Sequence, residues 1–297
     1  MATEQRHHHG HSHRDRHGHG HGHHTYDRSN LLRSDAFYTA TYMQIIGWLN
    51  VRPGTAAFEA GSGAGGFTQL LAEAVGPGGT MAALDVTPEL LQTVRERMDD
   101  SPFKERMSFH QGDIQHLPFE DYQFDLVWSS RTIHHLPDQR AGVRELRRML
   151  KPGGRFALRE GGLHPHFLPD DLGIGEPGLE VRLELAFQRW FQSRVRGGEG
   201  AVRYPYGWTQ LLRDAGLVNV SAKTFLLELL PPFTSLQVEY MTGLLERWVT
   251  NDERRSFISD EDADLIRQII DIECPHYAFH RQDLHYLEGV TVYVGEA

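Results

Sequence analysis

A cluster of glycines constrains this chain more than any other feature. Glycines stand at positions 61, 63, 65 and 66, between a short apolar run that ends in Phe58 and Glu59 and a periodic apolar run that begins at Phe67. The two runs are typical of a buried strand and a helix. Glycine lets the backbone between them turn sharply and leaves no Cβ in the way of a ligand, and the first N–H groups of a helix lack partners within it. The segment therefore predicts a ligand-binding strand–turn–helix unit, with a flexible loop as the alternative.

An acidic residue ends the next predicted strand. Asp85 follows the strand Thr80–Leu84 and lies 20 residues after Gly65. An acid at this spacing, at the tip of the second strand, is placed to accept hydrogen bonds from ribose hydroxyls. Nicotinamide dinucleotides and S-adenosyl-L-methionine (SAM) both contain such a ribose. These two features predict nucleoside binding and leave both ligands open.

The spacing of the glycines favours SAM. The segment reads Glu59-x-Gly-x-Gly-x-Gly, whereas dinucleotide folds carry Gly-x-Gly-x-x-Gly. A carboxylate such as Glu59 attracts the ammonium group of SAM and repels a pyrophosphate.

Further motifs follow in a fixed order. They are Asp85, Gly112-Asp113-Ile114, Phe124-Asp-Leu-Val-Trp-Ser-Ser and Leu150-Lys-Pro-Gly-Gly-Arg-Phe. Together with the glycine segment they cover roughly residues 53–160. In this order they resemble class I SAM-dependent methyltransferases, and within that family the small-molecule branch that includes the ubiquinone/menaquinone-biosynthesis methyltransferases.

The resemblance implies SAM as the cofactor and a set of residues around it. Asp113 would hydrogen-bond the adenine amino group, Ile114 would pack on the adenine ring, and Ser129 would line the floor near the methionyl group. For Asp113 a turn-forming role is the alternative. The full implied set is Glu59, Gly61, Ser62, Gly63, Gly65, Asp85, Val86, Asp113, Ile114 and Ser129.

The alternation of strand and helix patterns indicates the fold class. Five strand–helix repeats are typical of a parallel sheet with helices on both faces. We expect an α/β, Rossmann-like, seven-stranded doubly wound sheet, with a fifth strand over Arg155–Arg159 and a later strand over Val218–Leu229. The resemblance implies that the last strand runs antiparallel between the fifth and sixth.

Helical insertions are expected after the fifth and sixth strands, where they would form a substrate cap. Tyr38, Tyr42, Ile45 and Leu49 predict a helix over 34–50 with Ser34 or Asp35 as its N-cap. Ser259-x-x-Asp262 predicts another helix start. The expected organisation is a disordered His-rich tail (1–25), an N-terminal helical cap (26–52) and a SAM-binding domain (53–297) with insertions at 161–205 and 231–287.

Histidines and polar residues after the fourth and fifth strands are candidates for the chemistry. Methyl transfer from a sulfonium mainly needs positioning, and a general base is required only for a hydroxyl or carbon acid. Histidine suits that role near neutral pH. The predicted catalytic residues are His134, His135 and His164, and the predicted substrate residues are Arg131, Glu160, His166, Tyr206 and Trp208. Structural histidines and buried ion pairs are the alternatives, and no metal site is predicted within the domain.

The composition of the chain limits the kinds of partner that it is expected to bind. The 297 residues carry a net charge of −10 and so lack the basic face of a nucleic-acid-binding protein. The single cysteine and the absence of a long apolar run favour a reducing compartment and no membrane span, so we expect a cytoplasmic protein. Ten of the 19 histidines fall in the first 24 residues, where adventitious divalent metal is expected. A homodimer is left open.

We therefore expect a SAM-dependent methyltransferase that modifies O, C or N of a small organic acceptor. One alternative is an NAD(P)-dependent oxidoreductase with the same layout. Another is a protein that binds SAM without transferring its methyl group.

Overall fold

A seven-stranded sheet is the centre of the computed structural model, which describes residues 28–198 and 200–297. Its order is β3-β2-β1-β4-β5-β7-β6, with β7 antiparallel to both of its neighbours. The predicted sheet and the predicted place of the last strand are confirmed. The predicted His-rich tail and its metal lie outside the described residues. The strands are β1 Ala56–Ala60, β2 Thr80–Asp85, β3 Met107–Gln111, β4 Phe124–Ser130, β5 Leu150–His166, β6 Val218–Leu229 and β7 Tyr286–Glu296.

Helices cover both faces of the sheet. Alternate residues of one strand enter opposite cores, so Ala57 belongs to one hydrophobic cluster and Phe58 to the other. In the described part of the chain, no helix is both long and apolar enough to cross a membrane. The helices are α1 Arg28–Leu49, α2 Gly66–Val75, α3 Pro88–Met98, α4 Gln139–Arg148, α5 Leu179–Trp190, α6 Trp208–Asp214, α7 Ser235–Thr250, α8 Asp252–Arg255 and α9 Asp260–Ile270.

The start of α1 differs from the prediction. The helix begins at Arg28, so neither Ser34 nor Asp35 is its N-cap, and that prediction is wrong. Asp35 instead accepts a hydrogen bond from the backbone N–H of Gly66 at 2.8 Å, at the first residue of α2. The residue before α2 is Gly65, which has no side chain to cap the helix. An acceptor from α1 therefore satisfies a donor that α2 cannot satisfy itself.

The fifth strand is longer than predicted. β5 continues past Arg159 to His166 because it pairs with β7, as in Gly162 opposite Val290. Gly162 has a φ of +109°, and a Cβ there would lie 1.9 Å from the carbonyl oxygen of Gly289. Glycine thus permits a shift of register at this point, and the pairing of β5 with β7 continues beyond it. The first insertion begins after this extension.

The two insertions are helical and pack together. The side chain of Ser259 accepts from the backbone N–H of Asp262 at 3.0 Å, which confirms the predicted start of α9. The Asp262 carboxylate binds Arg182 of α5, with 2.7 Å between Nη2 and Oδ1. Beyond α5, the chain continues as a π-helix over Phe191–Val195. This ion pair joins the first insertion to the second, and we call the two together the cap.

Candidate active site

Three glycines of the turn after β1 have positive φ, and one of them has open space beside its Cα. Gly61, Gly63 and Gly65 have φ values of +80°, +55° and +85°, which favour glycine. A Cβ on Gly61 would lie 2.1 Å from Oγ1 of Thr132, and one on Gly65 would lie 3.1 Å from the side chain of Val94. A Cβ on Gly63 would meet no atom within 4 Å. The outer glycines serve close packing, while Gly63 leaves room for a ligand to approach the backbone.

Asp85 is bound to this turn. Its Oδ2 accepts from the backbone N–H of Gly63 at 3.0 Å, and its Oδ1 accepts from that of Thr87 at 2.9 Å. A carboxylate has about four lone-pair sites, so Asp85 can also accept from ribose hydroxyls. Burial raises its pKa. The neighbouring Val86 is 63% exposed and available for contact with a ligand.

Glu59 lies beneath the turn and is almost completely buried. Its Oε2 accepts from Oγ1 of Thr68 at 2.5 Å. Burial raises the pKa of Glu59 to about 8, and repulsion from Asp35 and Asp85 contributes to the rise, against the Thr68 hydrogen bond. A cation bound nearby would favour the ionised carboxylate, because opposite charges stabilise each other most in a poorly solvated site.

Ser62 and Ser129 differ in their hydrogen bonds. The buried Oγ of Ser62 has no partner among the described residues. Buried hydroxyls are nearly always hydrogen-bonded, so this atom fits a ligand held in the turn. The Oγ of Ser129 instead donates to the carbonyl oxygen of Ala60 at 3.0 Å and supports the end of β1.

The segment after β3 forms a turn. Asp113 Oδ1 accepts from the backbone N–H of Gln115 at 2.9 Å, and Ile114 is buried. Asp113 therefore has the turn-forming role that was the alternative to adenine binding, and its adenine contact stays a prediction. Its Oδ2 also accepts from the side-chain amide of Gln115 at 3.3 Å.

His134, in a short 3-10 helix that follows β4, is held by Glu160 of the neighbouring strand β5. The Nδ1 of His134 lies 2.7 Å from Oε2 of Glu160, and its backbone N–H donates to Oε1 at 3.3 Å. Glu160 is 2% exposed. An ionised Glu160 accepts from Nδ1–H, so the neutral imidazole carries its lone pair on Nε2. Glu160, predicted to bind substrate, thus orients a histidine.

The cap covers this pair. The ring of Phe191 lies 5.4 Å from that of His134, and Arg196 Nη1 donates to the carbonyl oxygen of His134 at 3.3 Å. The His135 ring is 4.1 Å from the His134 ring, between centroids. His134 therefore lies against the π-helix with the His135 ring beside it, and the predicted catalytic role of both stays a prediction.

The other predicted residues lie along the cap and the extended β5. His164 pairs with Glu184 and His166 with Glu180, both on α5. These pairs join β5 to α5, whereas the hydrogen bonds and ring contacts of His134 are with Glu160, His135 and Phe191. Tyr206 is exposed. Trp208 begins α6 and packs close to Gly161. Their predicted roles in catalysis and substrate binding stay predictions.

The structure contains a network of buried tyrosines that the sequence does not predict. The hydroxyl of Tyr38 donates to Glu288 at 2.7 Å and lies 2.8 Å from that of Tyr240. The hydroxyl of Tyr286 donates to Glu288 at 2.8 Å. Arg159 stacks on the Tyr38 ring at 4.4 Å. Aromatic residues at helical spacing are typical of any hydrophobic core, so the tyrosines alone do not indicate a network. The sequence feature that could have indicated it is an acidic residue within the largely apolar strand Tyr286–Glu296, because a buried acid needs a polar partner.

Arg131 has an unusual backbone. Its φ is +51°, a conformation that costs energy in a residue with a Cβ. Its backbone N–H donates to the carbonyl oxygen of Arg159 at 2.9 Å. The side chain is exposed at the end of β4, three residues before His134. Arg131 is therefore held at the same edge of the sheet as the histidine pair.

Comparison with known proteins gives the domain type. Residues 58–158 match the family model of a methyltransferase domain. A 37.1 kDa uncharacterised protein encoded in a transposon of Streptomyces fradiae is 36% identical over 133 residues, 45% of this chain and 36% of that protein. Demethylmenaquinone methyltransferase of Staphylococcus aureus is 33% identical over 135 residues, 46% of this chain and 55% of that enzyme. The chain thus spans between 36% and 55% of the length of these curated relatives.

A solved structure shares the fold over most of the chain. Phosphoethanolamine N-methyltransferase 2 of Haemonchus contortus superposes with a TM-score of 0.54 at 16% identity and covers 91% of this chain and 58% of that one. At this identity the likeness concerns the fold. The motif order, the sheet and the matched family model agree, and residues 58–158 are a class I SAM-dependent methyltransferase domain that resembles the menaquinone-biosynthesis methyltransferases.

Proposed function

We propose that this chain methylates a hydroxyl oxygen of a small organic acceptor, with SAM as the methyl donor and His134 as the general base. The observation that carries the proposal is the 2.7 Å pair between His134 and Glu160 at the edge of the sheet where the glycine turn also ends. In open α/β sheets, ligands bind beyond the carboxyl ends of the strands. On this basis, an acceptor held beside the pair would meet a cofactor held in the glycine turn.

The cofactor would be held by the turn and the acids around it. Gly63 leaves the space, Asp85 would accept from the ribose, and the Oγ of Ser62, which has no partner among the described residues, would offer a further hydrogen bond. Glu59 would balance the positive charge from below the turn. SAM supplies an activated methyl group on a positively charged sulfur.

His134 would remove the proton of the acceptor. Glu160 holds Nδ1–H, so Nε2 would accept the hydroxyl proton as the oxygen attacks the methyl carbon. The bond from this carbon to the sulfur would break at the same time, and S-adenosylhomocysteine would leave as the neutral product. The buried carboxylate then stabilises the imidazolium that forms. General-base catalysis of this kind contributes about 10²–10⁴-fold to the rate.

Two measurements test the proposal. Isothermal titration with SAM, S-adenosylhomocysteine and NADPH identifies the ligand, and we expect binding of the first two. Binding of NADPH alone would support the oxidoreductase alternative and overturn the proposal. Labelled SAM with a panel of hydroxylated acceptors then tests transfer. SAM binding without any methylated product would support the alternative of a non-catalytic SAM-binding protein.

A matched pair of variants assigns the base. H134Q keeps a polar side chain of similar size but cannot accept a proton, so we expect loss of transfer with SAM affinity unchanged. H135Q is the control at the adjacent position. Transfer that is lost in H135Q and kept in H134Q would overturn the assignment. The cytoplasmic location, the homodimer and the metal at the N-terminal histidines stay predictions from the sequence.

A further inference from the structure

Three arginines lie at the edge of the cap without an acidic partner. They are Arg131 after β4, Arg247 in the last turn of α7 and Arg254 in α8. Within residues 28–198 and 200–297, none of them is within 4.0 Å of a carboxylate oxygen. Nearby arginines of the cap are paired, as Arg255 is with Asp260. Arg247 and Arg254 are partly buried, whereas Arg131 is exposed. Partly buried charges are normally paired, so Arg247 and Arg254 call for a partner from outside the described chain.

The three guanidinium groups are close enough to repel one another. Burial, with repulsion from Arg247 and Arg131 added to it, lowers the pKa of Arg254 to about 9. Burial also lowers the pKa of Arg247, with repulsion from Arg131 among the causes. Glu288 already accepts hydrogen bonds from Tyr38 and Tyr286. The positive charges of the three arginines therefore reinforce one another, in a chain whose net charge is −10.

An aromatic wall supports Arg254. Its guanidinium lies 4.3 Å from the ring centre of Trp190 and 5.5 Å from that of Trp248. The buried Nε1 of Trp190 has no hydrogen-bond partner among the described residues. The wall therefore offers an unused N–H donor beside the unpaired cation. Both features favour a ligand that accepts hydrogen bonds and carries negative charge.

A row of aromatic rings leads from this cation to the base. Phe187 lies 5.7 Å from Trp190 and 5.7 Å from Phe191, between ring centres. Phe191 in turn lies 5.4 Å from His134. One end of the row is thus a proton acceptor and the other end a cluster of cations. The rings between them suit an apolar or aromatic body.

We infer that the acceptor is an organic anion whose carboxylate or phosphate binds Arg131, Arg247 and Arg254. Its apolar body lies along Phe187 and Phe191, which places a hydroxyl at His134. Arginine suits this role because its planar fork binds carboxylates and phosphates through paired hydrogen bonds. The inference rests on the proposed function and adds the chemical class of the acceptor.

Simple anions test the inference without knowledge of the acceptor. Benzoate, phenyl phosphate and the neutral benzyl alcohol are titrated calorimetrically into the full chain saturated with S-adenosylhomocysteine. We expect one of the anions to bind at least about tenfold more tightly than benzyl alcohol, with an affinity that falls as salt is added. Preference for benzoate identifies a carboxylate, and preference for phenyl phosphate identifies a phosphate.

Variants locate the anion. R247Q and R254Q are each expected to bind the preferred anion about tenfold or more weakly than the wild type. R255Q is the control, because Arg255 already pairs with Asp260, and we expect its affinity for the anion to be unchanged. Unchanged S-adenosylhomocysteine affinity in each variant shows that the fold is intact. If a variant does not fold, the affinities of the wild type for the anions and for benzyl alcohol still test whether the acceptor site prefers an anion. The inference is overturned if the three probes bind equally well, or if binding of the anions does not depend on salt. The proposed function is overturned if the wild type does not bind S-adenosylhomocysteine.

Discussion

His134, four residues after β4, and Glu160 in β5 form a hydrogen bond of 2.7 Å in which the acid is the more deeply buried partner. The two residues are 26 positions apart in the chain, and the parallel pairing of β4 with β5 brings them together. Glu160 does not reach the acceptor in the proposed reaction. It is a positioning residue that acts through the histidine.

The first prediction concerns this carboxylate. E160Q keeps the size of the side chain and can still accept a hydrogen bond, but it no longer stabilises a positively charged imidazole. We expect kcat to fall about 10–100-fold, which corresponds to roughly 1.4–2.7 kcal/mol, while KM for the acceptor and the affinity for SAM change little. Steady-state kinetics and calorimetry measure these quantities. A higher KM at unchanged kcat would mean that Glu160 binds the acceptor, as the sequence alone suggested.

The second prediction uses the open space at Gly63. Alanine at a φ of +55° costs about 1–2 kcal/mol of stability, and its methyl group would enter the space left for the cofactor. G63A should therefore fold and bind SAM at least tenfold more weakly. Gly54 is the matched control, because it lies before β1, has a φ of +89°, and a Cβ there would also meet no atom within 4 Å. If G54A and G63A bind SAM equally well, the cofactor does not contact the turn at Gly63.

The third prediction follows from the raised pKa of Glu59. The folded protein holds the proton up to pH of about 8, whereas the unfolded chain releases it near 4.5. Between these values the unfolded state binds fewer protons, so this group lowers the free energy of unfolding by up to about 1.4 kcal/mol for each pH unit of increase. E59Q has no such proton to lose. Urea unfolding at pH 5, 7 and 9 should show E59Q gaining stability relative to the wild type as the pH rises, and parallel curves would contradict the prediction.

The fourth prediction tests the contact between α1 and α2. D35A removes the acceptor for the backbone N–H of Gly66 and the partner of Arg97, which lies 3.2 Å from Asp35 Oδ2. We expect a loss of about 1–2 kcal/mol in the free energy of unfolding, as for other helix caps. D35N keeps an acceptor oxygen and should lose less. Chemical denaturation compares the three proteins, and equal losses in D35A and D35N would show that the charge, and not the cap, matters.

Much of the sheet could be predicted because its signals are local. The apolar run before Glu59, the glycines after it and the proline that opens α3 are readable within short windows. The predicted strand Val218–Leu229 has the observed bounds of β6. These segments have patterns that match their final structure, and tertiary contacts do not override them.

The parts that could not be predicted depend on distant partners. Gly161, Gly162 and Pro165 are typical of a loop, yet β5 passes through them because β7 supplies its hydrogen bonds from more than 120 residues away. Asp35 looked like the cap of its own helix, and the donor it satisfies is in α2. In the candidate site, His134 was predicted from its place after β4, whereas the role of Glu160 toward it appears only once the strands are side by side.

Helix α1 spans the cofactor turn and the cap, through Asp35 to Gly66 at one end and through Tyr38 to Glu288 and Tyr240 further along. Moving α1 away from the sheet would break at least three hydrogen bonds at once. At about 1 kcal/mol each, the displaced form would be populated below about 1% of the time. The cofactor turn and the cap therefore share one support, so a substitution that shifts α1 would disturb both sides of the candidate site together.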